Sequence, residues 1–258
     1  MIGPSRASAD PVFSIVMPAF NAAATIEASI ASVRAQTDPD WELLVVDDRS
    51  SDATAAVVER IAAQDRRVRL MRLARNVGVA GARNAALDAA AGRYVAFLDA
   101  DDEWYPAKLA LQRRCLEAGA GVVFGSFHRV LPSGVRHLVK ATAVATPGTF
   151  LHYNPIGNLT GAYDRRLGIV RQQPMRHEDY LMWYELVRRA GRAVGVQESI
   201  AAYRVSGSSL SGNKVRAAVW HWQMLRTGMK QPLPAAVVGF GSYAVRSIAM
   251  RLGELRGR

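Results

Sequence analysis

The strongest chemical signal in the sequence is a pair of acidic clusters, Asp47-Asp48-Arg49-Ser50-Ser51-Asp52 and Asp99-Ala100-Asp101-Asp102-Glu103, each placed directly after a short apolar run. Carboxylates spaced as Asp99 and Asp101, where a strand gives way to a loop, suit Mg2+ or Mn2+. These hard cations take one or two carboxylates and complete their shells with water and phosphate oxygens. An isolated Asp-x-Asp is also an ordinary solvated turn, in which Asp102 or Glu103 would cap a helix beginning near Pro106. Two such clusters at one sheet edge repel each other unless a cation or a donor group sits between them, which favours the metal. Asp48 could accept from a ribose hydroxyl or the imide N–H of uracil. Ser50, Ser51 and Asp52 are better placed to cap the following helix, which leaves Asp48 spare.

Three further segments carry candidate chemistry. In Arg75-Asn-Val-Gly78-Val-Ala-Gly81-Ala-Arg83-Asn84 the glycines fit neither a dinucleotide fingerprint nor a Walker loop. What remains is a helix N-terminus with Arg83 one turn in, able to meet phosphate; close helix packing with a surface Arg fits the spacing equally well. In His177-Glu178-Asp179-Tyr180 the paired carboxylates could include a general base, but acidic residues in a first helical turn are ordinary complements of the dipole. His177 has no second His at helical spacing and reads as a loop histidine. Tyr203-Arg204, followed by Ser208, Ser211 and Lys214, is a hydroxyl-rich stretch flanked by cations. It suits phosphate or sugar binding, or a connector. Cys115 follows Leu111 by one helical turn and reads as packing.

The elements that must position these residues follow from periodicity. Val12 to Met17, Trp41 to Val46, Val68 to Leu73 and Tyr94 to Leu98 are apolar runs separated by segments of helical spacing, such as Ile26, Ile30 and Val33. That alternation predicts an α/β fold: a Rossmann-like, mainly parallel sheet flanked by helices, with ligands at the carboxyl ends of the strands. From Ala120 to Gly168 the punctuation predicts irregular strands and loops. A helix follows near Glu178 to Arg189, a strand around Ile200 to Val205, and a C-terminal helical extension. The expected divisions are a flexible N-terminus at 1–10, a main domain at 11–212 with halves 11–104 and 105–212, and a basic amphipathic helical tail at 213–258.

Composition narrows the class. The 258 residues are half apolar, with one Cys and a net charge of +11. There is ample material for a core and no disulfide framework. No apolar stretch approaches the ~20 residues of a spanning helix, and Met1 to Asp10 lacks a signal-peptide core. The basic balance is concentrated at the end: residues 213–258 hold eight Lys or Arg against Glu254 alone. With Trp220, Trp222 and a stripe through Val237, Phe240, Ala244, Ile248, Leu252 and Leu255, this tail could lie on an anionic membrane surface, pack on its own domain, or form a homodimer. In the first 212 residues no basic stripe with interleaved aromatics marks a nucleic-acid binder.

Together, Phe13-Ser-Ile-Val-Met-Pro-Ala-Phe-Asn21, Glu42 to Ser50, Asn76 to Asn84, Gly92 to Trp104 and His177 to Tyr180 are similar to the bacterial glycosyltransferase family 2, over about residues 12 to 215. The resemblance implies a GT-A fold and inverting transfer from a nucleotide-diphosphate sugar, UDP-linked, to a glycan or lipid-linked acceptor in cell-surface polysaccharide synthesis. It implies that Pro18, Phe20 and Asp48 contact the nucleoside, that Arg83 lies on the donor side, and that Asp99 and Asp101 bind Mn2+ or Mg2+. It makes Asp179 the catalytic base beside Glu178, and puts Tyr203, Arg204, Ser208, Ser211 and Lys214 near donor phosphate or acceptor. Absence of the Gln-x-x-Arg-Trp signature implies single-sugar addition, by a cytoplasmic enzyme peripheral to the inner face of the membrane. Two other classes compete: a sugar nucleotidyltransferase, for which Pro18-Ala-Phe-Asn21 lacks the glycine-rich basic loop, and a non-catalytic anionic-surface binding module.

Overall fold

The computed structural model describes residues 11–174, 178–205 and 214–256. In the first half, β1 (Phe13–Ala19), β2 (Trp41–Asp47), β3 (Val68–Arg72) and β4 (Tyr94–Phe97) pair in parallel in the order β3-β2-β1-β4. They are joined by α1 (Ile26–Arg34), α2 (Thr54–Ala62) and α3 (Gly78–Ala89). Every residue of β1 and β2 is buried, which is why both read as unbroken apolar runs rather than alternating ones. Buried polar groups set the register. Ser14 Oγ donates to Glu42 at 2.6 Å, and the N–H groups of Ala91 and Gly92 donate to Glu42 and to Ser14 Oγ, each at 2.8 Å. A Cβ at Gly92 would lie 2.5 Å from the Ser14 nitrogen, so only glycine lets β4 enter beside β1 at the height that delivers Asp99 to the sheet edge.

The second half adds β5 (Glu103–Trp104), α4 (Lys108–Glu117), β6 (Val122–Val130), β7 (Arg136–Val139), β8 (Val144–Ala145), β9 (Ala162–Asp164), α5 (Glu178–Ala190) and β10 (Ala193–Arg204). Among the described residues these extend the sheet to ten strands, continuing β4-β9-β6-β10-β5. β6 and β10 are parallel, whereas β9, β5, β7 and β8 run antiparallel to their neighbours. The antiparallel strands fall where the sequence pointed to irregular strands. Gly161, at the entry to β9, abuts the Trp183 ring of α5: a Cβ there would lie 2.2 Å from it.

One local expectation is corrected. The helix after Pro106 begins at Lys108 with Ala107 in the cap position and no side-chain cap. Asp102 instead accepts from the Arg204 N–H at 3.0 Å, and Glu103 pairs with the Arg204 guanidinium. Lys108 is fully buried, its Nζ 2.6 Å from Gln112 and 3.9 Å from the centre of the Trp104 ring, and burial pushes its pKa well down.

The tail comprises α6 (Lys214–Gln223), a π-helical turn (Met224–Gly228) and α7 (Leu233–Arg256). Met224, Leu225, Met229 and Ala236 are buried in one apolar cluster with Phe150 and Tyr180. The His221 ring stacks on Tyr243 at 4.2 Å, and a Cβ at Gly239 would lie 2.7 Å from the Leu151 carbonyl oxygen. The apolar stripe, for which the sequence leaves a membrane, a second subunit and its own domain all open, is therefore divided among the described side chains; those of Ile248, Leu252 and Leu255 lie outside them. Phe240 turns inward against Trp222, while Val237 faces water. The tail packs on its own domain, because α5 and the Thr149–Leu151 turn present an aromatic surface to it. No helix among the described residues is long and apolar enough to cross a membrane.

Candidate active site

A cleft of about 940 Å3 opens at the carboxyl edge of β1, β2 and β4. Pro18, Phe20, Asp48, Arg83, Asp99 and Asp101 all line it, and Arg204 closes one side. The tip of the β6–β7 hairpin, Leu131 to Gly134, forms a wall that sequence reasoning did not anticipate. Phe20 stands in the mouth with 54% of its surface exposed, an apolar platform with no core to fill.

The turns that shape the mouth clasp each other. Asn21 and Arg49 both adopt the left-handed region, at φ 49° and 67°. Asn21 Oδ1 accepts from the Ser51 N–H at 2.8 Å, and Ser50 Oγ accepts from the Asn21 N–H at 2.9 Å. Asp48 is not idle beneath them. Its two oxygens accept from the N–H groups of Val77 and Gly78, each at 2.8 Å, so it caps α3 from across the sheet edge.

Arg83 is neither a surface residue nor open to a ligand on all sides. It is buried, with Nη2 at 2.7 Å from Asp99 and Nη1 at 2.7 Å from Glu178 and 3.0 Å from Gln172. Burial pulls its pKa down, but Asp99, Glu178 and Asp179 outweigh that and hold it above the usual value. Asn84 and Gln172 exchange two hydrogen bonds, 2.8 and 2.9 Å, that fix the loop behind Arg83. Asn84, Gln172 and the hairpin wall carry no sequence signal of their own, since neutral amides and turn residues are common anywhere.

The carboxylates are crowded. Burial and then Asp99 push the Asp101 pKa up. Burial, then Asp99 and Asp101, push that of Asp102 up to about 9. Asp179, in the first turn of α5, is pushed up to about 6 by burial; Arg83 opposes the rise, and Glu178 and Asp99 add to it. Burial raises the pKa of the Tyr203 hydroxyl, and the nearby Asp102 and Asp101 raise it further. Ser208, Ser211 and His177 lie outside the described residues, as does the side chain of Lys214. Among the described residues no group of three or more His, Cys, Asp or Glu could hold a metal. The pair Asp99 and Asp101 fits a hard cation that draws its other ligands from phosphate and water, because the repulsion raising the Asp101 pKa is what a cation would relieve.

Residues 14–172 match the family model described as glycosyl transferase family 2. The chain belongs to this family. Membership favours a glycosyltransferase over the nucleotidyltransferase and the non-catalytic binding module. Among family 2 relatives, the Escherichia coli UDP-Glc:alpha-D-GlcNAc-diphosphoundecaprenol beta-1,3-glucosyltransferase WfgD is 37% identical over 87% of this chain and 89% of its own. Two solved structures share the fold. Staphylococcus aureus TarS 1-349 in complex with UDP-GlcNAc superposes with a TM-score of 0.68 at 21% identity, covering 83% of this chain and 66% of that one. The chain spans 40% of a longer TarS chain. The mannosyltransferase PcManGT from Pyrobaculum calidifontis, in complex with GDP-Man and Mn2+, gives 0.68 at 23% identity, covering 92% and 70%. The arrangement is the GT-A fold.

Proposed function

We propose that this glycosyltransferase moves one sugar from a UDP-sugar to a hydroxyl of a glycan or lipid-linked acceptor in bacterial polysaccharide synthesis, inverting the anomeric centre, with Asp179 as general base. The observation that carries the reading is Arg83, whose single buried guanidinium joins Asp99 at the cation-holding edge to Glu178 beside Asp179. The cleft thereby holds a phosphate-facing pair of carboxylates, and Arg83 in its wall links them to the first turn of α5, where burial raises the Asp179 pKa to about 6. The name of WfgD, which specifies UDP-Glc and a diphosphoundecaprenol acceptor, supports the donor and acceptor classes.

In this reading residues 11–104 form the nucleotide-sugar half and 105–212 the acceptor half. Pro18 and Phe20 present an apolar surface to the nucleobase. Asp48, each of whose oxygens keeps a lone pair beyond its bond to α3, accepts from the nucleoside. Asp99 and Asp101 would hold a divalent cation, Mn2+ as in PcManGT or Mg2+, which supplies charge to the departing diphosphate. Arg83 keeps Asp99 and Glu178 compensated. Asp179 takes the proton from the acceptor hydroxyl as its oxygen attacks the anomeric carbon opposite the diphosphate; one displacement inverts the configuration. Tyr203 and Arg204 lie on the phosphate side, with Ser208, Ser211 and Lys214 following them in sequence.

The test is UDP release from UDP-glucose with a GlcNAc-diphospholipid and Mn2+. Asp179→Asn should lower turnover by ~10²–10⁴-fold while UDP binding stays near wild type. Asp101→Ala should weaken Mn2+-dependent UDP binding. Turnover by Asp179→Asn at the wild-type rate would sink the assignment of the base.

A further inference from the structure

We infer that Asn154 is a positioning residue for Asp179, holding one carboxylate oxygen so that the other is presented to the acceptor hydroxyl. The inference rests on the reading of Asp179 as the base. Asn154 sits on the segment between the Thr149–Leu151 and Asn158–Thr160 turns, which lies against α5. The segment is pinned to that helix at both ends. The Tyr180 hydroxyl donates to the Phe150 carbonyl at 2.6 Å, and the Trp183 indole N–H donates to Asn158 Oδ1 at 3.3 Å. Tyr180 is the neighbour of Asp179, so the two anchors fix Asn154 relative to the carboxylate. Between the anchors Ile156 is fully buried, and its N–H donates to Asn154 Oδ1 at 3.1 Å. That bond decides which end of the Asn154 amide is oxygen. It leaves the NH2 group directed at Asp179, with Nδ2 3.5 Å from Oδ2.

Among the described residues, no other side chain donates to Asp179. The charged groups that face it are Arg83 from α3, Glu178 from its own helix, and Asp99 from the loop after β4. Arg83 divides its charge between Asp99 and Glu178, through a bond of 2.7 Å to each. Among the described residues Asn154 is thus the one neutral side chain that donates to the base; with the backbone N–H of Asp179 itself it opposes the burial and favours the ionised form. The contact is long in the resting state, as catalytic hydrogen bonds often are before substrate closes the site.

The experiment is a carbon-13 NMR titration of the aspartate carboxyls in the full chain, free of metal and donor, with Asp179→Asn assigning the Asp179 resonance. Asn154→Ala should move the Asp179 midpoint up by about half to one pH unit. Asn154→Ser separates the two things Asn154 does: it keeps a side-chain oxygen for the Ile156 N–H but cannot reach Asp179. A positioning role predicts that Ser behaves like Ala; a purely structural role predicts that Ser behaves like wild type. An unmoved midpoint in Asn154→Ala, or full retention of the wild-type midpoint in Asn154→Ser, overturns the inference. Its failure is distinguishable from failure of the underlying reading, because wild-type UDP release by Asp179→Asn would refute the base whatever the midpoints do.

Discussion

Replacing Arg83 by Met removes the charge at the centre of the site while keeping an unbranched side chain of related length. The Arg83 side chain is 5% exposed, against 15% for Glu178 and 32% for Asp99. Removing one partner of a buried ion pair costs about 3–5 kcal/mol, because a charge is left behind without compensation. Asp99 keeps a third of its surface in water, which places the expected loss at the lower end, ~3 kcal/mol. For a chain of this size each kcal/mol corresponds to ~2–4 °C, so Tm should fall by ~6–12 °C in a thermal melt. The same substitution removes the cation that opposes the rise of the Asp179 pKa, so the acid limb of kcat/KM should move above its wild-type position near pH 6. A melting point within about 2 °C of wild type, or an acid limb that moves down, would refute the account of Arg83 as the tie between the carboxylates.

Stability of the metal-free chain should depend on pH in an unusual direction. Asp102 titrates near 4 unfolded and is pushed up to about 9 folded, so its neutral form stabilises the fold below pH 4 and that contribution is lost as pH rises toward 9. Tm should therefore decline between pH 5 and 9, and Asp102→Asn, which keeps an acceptor for the Arg204 N–H, should flatten the decline; equal slopes would count against a neutral Asp102. Gly161→Ala drives a methyl into the Trp183 ring and should cost ~1–3 kcal/mol by overpacking. An unchanged thermal melt would mean that the ring has room to retreat.

What was legible in the sequence was what is local. β1 and β2 are buried on both faces and so carry no alternation to misread, and Asp48, Asp99 and Asp101 stand where those runs and the one through β4 end. The six residues expected on the donor side all line one cleft: five hang from adjacent strand ends, and Arg83 reaches it from the second turn of α3. Capping was misjudged because it was sought nearby. Asp48 caps a helix that begins 30 residues later, and Asp102 receives an N–H from 102 residues away. The depth of Arg83 was hidden too, since the small residues around it fit a surface helix as well as a buried one, and its partner Glu178 is 95 positions distant. The apolar period of the tail revealed that something covers it, without saying what.

That cover changes where the molecule can be cut. A chain ending at 212 looks from composition like a trimmed catalytic unit freed of a basic appendage. It would lack Met224, Leu225, Met229 and Ala236, and would leave Phe150 and Tyr180 facing water. α5, which carries Glu178 and Asp179 on its first turn, would lose its backing and become an outer wall. The stretch that reads as most expendable is the one against which the helix of the proposed base is braced.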